Sequence, residues 1–289
     1  MDGTFDWLSP NLPPPRNWHR EQVSPPLAIR AHQRGSAVEP DDVVSTASAR
    51  DEAQGQILLR VDSITKQYTD LVVLADVGFD IHAGEIIGII GPNGAGKTTL
   101  LEALAGILPA ETNDVYCHGT SIPPSRRHET MFYLPDGVRP YQDQPVTRVL
   151  SFFADVYRRS AHEIAATIES VGLTPVLRKR VQSLSKGYSR RLMLTLGLLA
   201  PHPLLFMDEP FDGFDFRQTR EIVNLLRHEA VGGRTFVLAI HQLADAERVC
   251  DRLVLLGEGR VRGVGTLNDL RTRAGIADGS LEDIFLALT

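Results

Sequence analysis

The fold of this chain is decided by one stretch, Gly91-Pro92-Asn93-Gly94-Ala95-Gly96-Lys97-Thr98, which fits the phosphate-loop pattern G-x-x-x-x-G-K-[ST]. Residues 85–90 before it form a mostly apolar run typical of a buried strand, and leucine and isoleucine recur at helical spacing after it. A glycine-rich turn between a strand and a helix lets backbone N–H groups approach phosphate oxygens at the positive end of the helix. The stretch therefore predicts a nucleoside triphosphate site, and the flanking elements argue against a chance glycine-rich turn.

The polar residues at the end of this loop have separate expected roles. Lys97 is expected to reach the β- and γ-phosphates, and the Thr98 hydroxyl suits Mg²⁺. Thr99 is included with residues 91–98 as part of the ATP-binding loop. A phosphate loop alone does not distinguish a kinase from a GTPase or a transport ATPase, so the rest of the site has to be found elsewhere in the chain.

Three further apolar runs are typical of buried strands, and each is followed by polar residues: Asp136 after 131–134, Asp208 and Glu209 after 204–207, and His241 after 235–240. In open α/β sheets, ligands bind beyond the carboxyl ends of the strands. We therefore expect these polar side chains to meet at the sheet edge that carries Lys97.

Each of these residues has a chemical reason to lie at a triphosphate. Asp208 is suited to hold Mg²⁺, directly or through water. Glu209 is placed to orient and deprotonate the attacking water, and His241 to bridge that water and the γ-phosphate. Taken singly, each has a plainer interpretation, because a carboxylate often caps the next helix and a histidine at a sheet edge often only makes hydrogen bonds within the fold.

A family resemblance follows from the segment Leu184-Ser185-Lys186-Gly187-Tyr188, which resembles the LSGGQ signature of ABC ATPases. The order of phosphate loop, signature, acidic strand end and terminal His241 is similar to that of the family over residues 57–289. The resemblance implies that one subunit's signature closes over the γ-phosphate bound by a second subunit, most simply in a homodimer. Ser185, Lys186 and Gly187 would make that contact in trans.

The same resemblance implies three further roles. Tyr68 falls where an aromatic ring stacks on adenine, although it could equally be an ordinary aromatic of a sheet. The segment 211–215 falls on the loop that couples the two sites, with Asp215 at its end. Asp136 falls where a residue links the metal to the membrane subunit, although an Asp after Pro also commonly caps a turn.

Two departures from the family pattern point to one branch of it. Lys186 replaces the first glycine of the signature, and Asp136 replaces the glutamine usual after its strand. Both replacements are similar to those in ATPases of type-2 ABC exporters, which serve drugs, antibiotics and lipids. This is an analogy at the level of the family.

Composition is consistent with a cytoplasmic protein that works at a membrane. The 289 residues carry a formal net charge of −6, which argues against a nucleic-acid partner. The two cysteines lack metal-ligand spacing, and no apolar stretch reaches the roughly 20 residues needed to cross a bilayer. The pore is therefore expected on a separate integral-membrane permease chain, which would hold this subunit at the inner face of the cell membrane.

The predicted organisation is an α/β phosphate-loop NTPase of ABC type after an N-terminal arm. Residues 1–56 are rich in proline and poor in periodic apolar residues, which predicts a disordered arm. The ATPase domain, residues 57–289, is expected to combine a mostly parallel nucleotide sheet, an antiparallel β subdomain from Ile57 and a helical lobe at about 138–200.

The predicted function is an ATP- and Mg²⁺-dependent subunit that powers a membrane transporter, most simply an exporter. Two alternatives remain open at this stage. One is an ABC ATPase without transport, of the translation or repair type, although such proteins usually have two cassettes, coiled-coil inserts or zinc cysteines. The other is a regulator with low turnover, which the presence of Glu209 and His241 argues against.

Overall fold

A computed structural model describes residues 55–288, and these residues form two β-sheets surrounded by helices. The predicted arm lies outside the described residues, apart from Gly55 and Gln56. The strands are β1 (Ile57–Tyr68), β2 (Leu71–His82), β3 (Ile86–Ile90), β4 (Thr112–Cys117), β5 (Thr120–Ser121), β6 (Met131–Leu134), β7 (Leu204–Asp208), β8 (Thr235–Ile240), β9 (Arg252–Gly257) and β10 (Arg260–Gly265).

The helices follow the strands in the alternation expected of an α/β protein. They are α1 (Lys97–Leu104), α2 (Val146–Tyr157), α3 (Ala161–Val171), α4 (Lys186–Leu199), α5 (Phe216–Val231), α6 (Leu243–Val249), α7 (Leu267–Ala274) and α8 (Leu281–Leu288), with short 3₁₀ turns between some of them. Within residues 55–288, no helix is both long and apolar enough to span a membrane.

The larger sheet has six strands in the order β10-β9-β3-β8-β7-β6. All neighbours are parallel except β9 and β10, which form a hairpin. The hairpin turns at Glu258 and Gly259, both at positive φ. The parallel arrangement brings the carboxyl ends of β3, β6, β7 and β8 to one edge, which confirms the predicted fold class.

Every residue of β3, β7 and β8 is buried, because the central sheet is covered on both faces. Alternate residues pack into two different cores. Ile90, Leu205 and Phe236 face a core shared with the helices α2 to α6, whereas Ile89 and Phe206 face α1 and the second sheet. The strands therefore form a rigid central layer whose polar ends are held in fixed register.

The smaller sheet is antiparallel, in the order β2-β1-β4-β5. Its long strands alternate between buried and more exposed residues, as expected when one face packs on a core and the other faces solvent. Val73 of β2 lies beside the phosphate loop, since a Cβ added to Gly96 would be 3.0 Å from the Val73 carbonyl oxygen. The antiparallel sheet thus forms one wall next to the loop.

The helical lobe contains α2, α3 and α4, between residues 146 and 199. A capping box at Ser160 starts α3, and Gly172 in a left-handed conformation ends it. The carboxyl end of α4 is capped by arginines, because Arg159 donates to the Leu199 carbonyl at 2.7 Å and Arg234 to that of Leu198 at 2.7 Å. These bonds attach the carboxyl end of α4 to the body of the protein.

One fully buried arginine joins the smaller sheet to α1. Arg127 donates to the carbonyl oxygens of Ala103 at 2.8 Å and Asn113 at 2.9 Å, and to the Asn113 side chain at 2.7 Å. Burial lowers the pKa of Arg127 to about 10, with only a partial opposing effect from Asp114. The carboxyl end of the helix that follows the phosphate loop is therefore fixed by a buried cation.

Candidate active site

The phosphate loop is built as the sequence pattern requires, between β3 and α1. Gly94 and Gly96 have φ values of 84° and 101°, in the region that favours glycine. Gly91 has a different requirement, since a Cβ there would lie 2.2 Å from the Leu256 carbonyl oxygen. Ala95 is buried and donates its backbone N–H to Pro92, while Pro92 and Asn93 are exposed at the tip of the loop.

Lys97 begins α1 and bends back over its own loop. Its Nζ donates to the carbonyl oxygens of Gly91 at 2.7 Å and Pro92 at 3.3 Å, and the residue is 7% exposed. Burial lowers the pKa of Lys97, while Glu209 and Asp208 act in the opposite direction. The ammonium group is thus placed at the mouth of the loop, and the Asp208 and Glu209 carboxylates at the end of β7 are near enough to act on it.

Thr98 and Asp208 meet across the loop. The Thr98 hydroxyl donates to Oδ2 of Asp208 at 2.6 Å, and Asp208 is only 5% exposed. Burial raises the pKa of Asp208, and the negative charge of Asp136 adds to this effect. The Thr98 hydrogen bond and the positive charges of Lys97 and Arg190 lower the same pKa. A hydroxyl and a carboxylate within hydrogen-bond distance are hard oxygen donors, and this donor chemistry fits Mg²⁺ completed by phosphate and water oxygens.

Glu209 and His241 form a direct pair at the ends of β7 and β8. Oε2 of Glu209 lies 2.5 Å from Nδ1 of His241, and the backbone N–H of Glu209 donates to Ala239 at 3.0 Å. Glu209 has φ of 49°, an uncommon conformation for this residue type that often occurs at functional sites. The sequence predicts Glu209 at the attacking water and His241 between that water and the γ-phosphate, but no local signal indicates that the two side chains are in contact.

Asp136 has a partner that sequence reasoning missed. Arg190, on α4, contacts Oδ1 of Asp136 through Nη2 and donates through Nη1 to the Asp208 carbonyl oxygen at 3.4 Å. The periodicity of α4 places an arginine one turn after Lys186, but no local signal indicates which strand end it would reach. Asp136 therefore lies at the predicted edge as one half of an ion pair.

The signature segment begins α4 and lies against the loop that follows β7. Ser185 is the N-cap of α4, where its Oγ accepts from the Tyr188 backbone N–H at 3.3 Å. Lys186 pairs with Asp212 at 2.6 Å, and a Cβ at Gly187 would lie 3.1 Å from the Gly213 carbonyl oxygen. The signature and the 211–215 loop thus lie against each other, and Ser185 and Lys186 remain exposed to solvent.

Two other predicted site residues lie away from these contacts. Asp215 is exposed and caps α5, its Oδ1 accepting from the Gln218 backbone N–H at 2.8 Å. Tyr68 lies at the tip of the β1–β2 hairpin, paired with Leu71, and its ring is 45% exposed. The Lys66 ammonium lies 4.9 Å from the centre of this ring. The remaining loop residue, Thr99, is half-buried in α1.

Comparisons with known proteins agree with this architecture. Residues 74–212 match the family model described as ABC transporter. An uncharacterized ABC transporter ATP-binding protein of Methanocaldococcus jannaschii is 32% identical over 73% of this chain and 79% of its own. The Nod factor export ATP-binding protein I of Rhizobium meliloti is 34% identical over 75% of this chain and 66% of its own.

A solved structure described as the ATP binding subunit of an ABC transporter superimposes with a TM-score of 0.73. It is 30% identical in sequence, and the match covers 80% of this chain and 99% of that one. The match in fold extends well beyond the residues of the sequence motifs. The chain therefore belongs to the ABC transporter ATP-binding proteins, the ATPases that power membrane transporters.

Proposed function

We propose that this chain is the Mg²⁺-dependent ATPase of an exporter, that it acts as a homodimer, and that the pore belongs to a separate permease chain. The observation that carries the proposal is the Glu209–His241 pair, which lies at the same sheet edge as Lys97 and the Thr98–Asp208 pair. That edge combines phosphate binding with a candidate base.

The phosphate loop supplies the binding part of the site. Backbone N–H groups of Asn93, Gly94 and Gly96 and the amino end of α1 would attract the phosphates, and the Lys97 ammonium would leave its loop carbonyl oxygens for the β- and γ-phosphate oxygens. Thr98 and Asp208 would hold Mg²⁺, and Asp136 lies near enough to act on the Asp208 carboxylate. When bound, the metal neutralises charge that develops on the phosphates.

Glu209 and His241 supply the hydrolytic part. One carboxylate oxygen of Glu209 is engaged by His241, which fixes the side chain and leaves the other oxygen to accept a proton from the attacking water. His241 is 45% exposed in its side chain, so it is accessible to the γ-phosphate. Both residues follow buried strands, and this rigid support preserves their spacing.

A second copy completes the site. Ser185, Lys186 and Gly187 are at the start of α4, whose backbone N–H groups and positive end suit a phosphate from a partner subunit. Gly213 and Phe214 lie beside Gly187 of the signature, so the 211–215 loop, with Asp215 at its end, would transmit the position of the signature to the opposite site. Tyr68 would stack on adenine with the ring face away from Lys66.

The permease contact is proposed on the helical lobe. Val138, Tyr141, Phe152 and Val156 expose 40–56% of their surfaces, and the rings of Tyr141 and Phe152 lie 5.6 Å apart. An apolar surface of this kind favours a protein partner. It lies close in sequence to Asp136, which links it to the nucleotide edge, and it would hold the chain at the cytoplasmic face of the membrane.

Export is favoured over import by sequence likeness. Lys186 and Asp136 depart from the common family pattern in the manner of type-2 exporters. The relative from Rhizobium meliloti is named for Nod factor export.

The substitution Glu209→Gln tests the proposal. It keeps the shape and hydrogen bonding of the side chain but removes the proton acceptor, so hydrolysis should fall by about 10²–10⁴-fold while ATP stays bound. An ATP-dependent dimer should then accumulate on a sizing column. Glu258→Gln, in the exposed β9–β10 turn, is the control and should behave as wild type. A Glu209→Gln chain with normal turnover would assign the base to another residue.

A further inference from the structure

Arg190 contacts two strand ends of the nucleotide edge at once. It lies one turn after Lys186 on α4, and its side chain is only 11% exposed. One terminal nitrogen contacts the Asp136 carboxylate, and the other donates to the Asp208 carbonyl oxygen at 3.4 Å. A single guanidinium group therefore connects the signature helix to the ends of both β6 and β7.

The charge of Arg190 offsets that of Asp136. Without it, the Asp136 carboxylate would add a third negative charge to an edge that already carries Asp208 and Glu209. At the Asp208 carboxylate, Asp136 and Arg190 act with opposite signs. The guanidinium remains charged under all ordinary conditions. The Asp136–Arg190 pair thus presents a net charge of zero beside the catalytic strand.

We propose that Arg190 is a positioning residue for ATP hydrolysis, which neutralises Asp136 and fixes the ends of β6 and β7 relative to the signature helix. The inference rests on the proposed hydrolytic role of this edge. It implies that the acidic residue at 136 is tolerated because a cation accompanies it. A displacement of α4 would then move Asp136 and Asp208 together.

A double-mutant cycle tests the pairing in the full-length chain. ATPase rates would be measured for Arg190→Gln, Asp136→Asn and the double variant, with ATP affinity by calorimetry and melting temperature for each. Arg190→Gln should lower kcat about tenfold, because it leaves Asp136 unpaired, while ATP affinity stays within about twofold. The double variant should return to the kcat of Asp136→Asn alone.

Arg191 is the matched control on the same helix. It donates to the Val171 carbonyl oxygen and to Glu221 at 3.0 Å, which are not at the nucleotide edge. Arg191→Gln should lower the melting temperature, and its effect on kcat should add to that of Asp136→Asn. Arg190→Lys should retain most of the activity, since lysine preserves the ion pair with Asp136.

Two results would overturn the inference. One is a double variant in which the reductions in kcat from Arg190→Gln and Asp136→Asn simply add, and the other is an unchanged kcat in Arg190→Gln. If Arg190→Gln does not fold, Arg190→Met, which keeps the apolar stem but removes the charge, gives the same comparison alone and combined with Asp136→Asn. A failure of the proposed function would be distinguishable from these results, because it would appear as normal turnover in Glu209→Gln.

Discussion

The phosphate-loop edge and the signature segment differ in how far contacts within this chain fix their side chains. The phosphate-loop edge is largely buried: Lys97 and Asp208 are held by hydrogen bonds to their own loop and to Thr98. The signature segment is exposed, and its Lys186 side chain is 62% accessible. The first part is therefore preorganised within one chain, whereas the second is exposed, as the proposed contact with a partner subunit requires.

This difference indicates which effects a substitution should have. A change at Lys97 or in the phosphate loop itself should alter nucleotide binding in a single chain. A change in the signature should leave that binding intact and affect only the assembly of two chains.

Lys97→Ala should cause the largest loss of affinity. Lys97 would make two charge-assisted bonds to phosphate oxygens, each contributing about 2 kcal/mol, so ATP binding should weaken on the order of 10³-fold. Calorimetry on the purified chain measures this directly. Lys179→Ala removes an exposed lysine from a loop of the helical lobe and should bind ATP as wild type does. Unchanged affinity in Lys97→Ala would remove the phosphate-loop assignment.

Arg127→Met should lower stability more than any surface change. The substitution leaves the Ala103 and Asn113 oxygens without their buried donor, at a cost of about 3 kcal/mol in the free energy of unfolding. Urea unfolding measures this change. Its neighbour Arg126 pairs with Glu129 at the surface, and Arg126→Met should change stability by less than about 0.5 kcal/mol. Equal effects of the two substitutions would contradict the proposed buried anchor.

Ser185→Asp should separate binding from assembly. Aspartate caps a helix as well as serine does, so α4 should remain folded, but its charge would repel a γ-phosphate from the partner. We expect the ATP-dependent dimer and the hydrolysis rate to fall about tenfold, with single-chain ATP affinity unchanged. Ser185→Asn, an equally good but neutral cap, is the control. Normal dimer formation by Ser185→Asp would place the signature outside the interface.

Lys186→Gln should have the smallest effect. Its ion pair with Asp212 is exposed to solvent, and such pairs contribute about 0–1 kcal/mol. The melting temperature should change by no more than a few degrees, and wild type should lose this small advantage as salt is raised. A fall of ten degrees would show that the pair holds the signature against the 211–215 loop more firmly than its exposure indicates.

Much of the fold could be predicted because it depends on local pattern. The buried strands are uninterrupted apolar runs, and the phosphate loop has fixed spacing, so Asp208, Glu209 and His241 could be assigned to one edge before the structure was known. The parallel register follows from the fold class. These features need no knowledge of which distant side chains meet.

The partners of the charged side chains could not be predicted in the same way. Arg127 and Arg190 are two of many arginines in the sequence, and nothing local distinguishes them from exposed ones. Their roles arise because the fold brings α1, β4, β6 and α4 into contact, and the sequence separations of these bonds reach 54 residues. The bond between Glu209 and His241 likewise depends on the adjacency of β7 and β8 in the sheet.

The burial of α4 has a consequence for how the protein opens. Residues 191–199 of this helix are all buried, and they pack in the core that joins the helical lobe to the central sheet. Their amide protons should therefore exchange with solvent only when the whole domain unfolds, whereas those of the more exposed α3 should exchange through local opening. The signature would then reach a partner by displacement of an intact helix, since melting of its first turns would not carry it there.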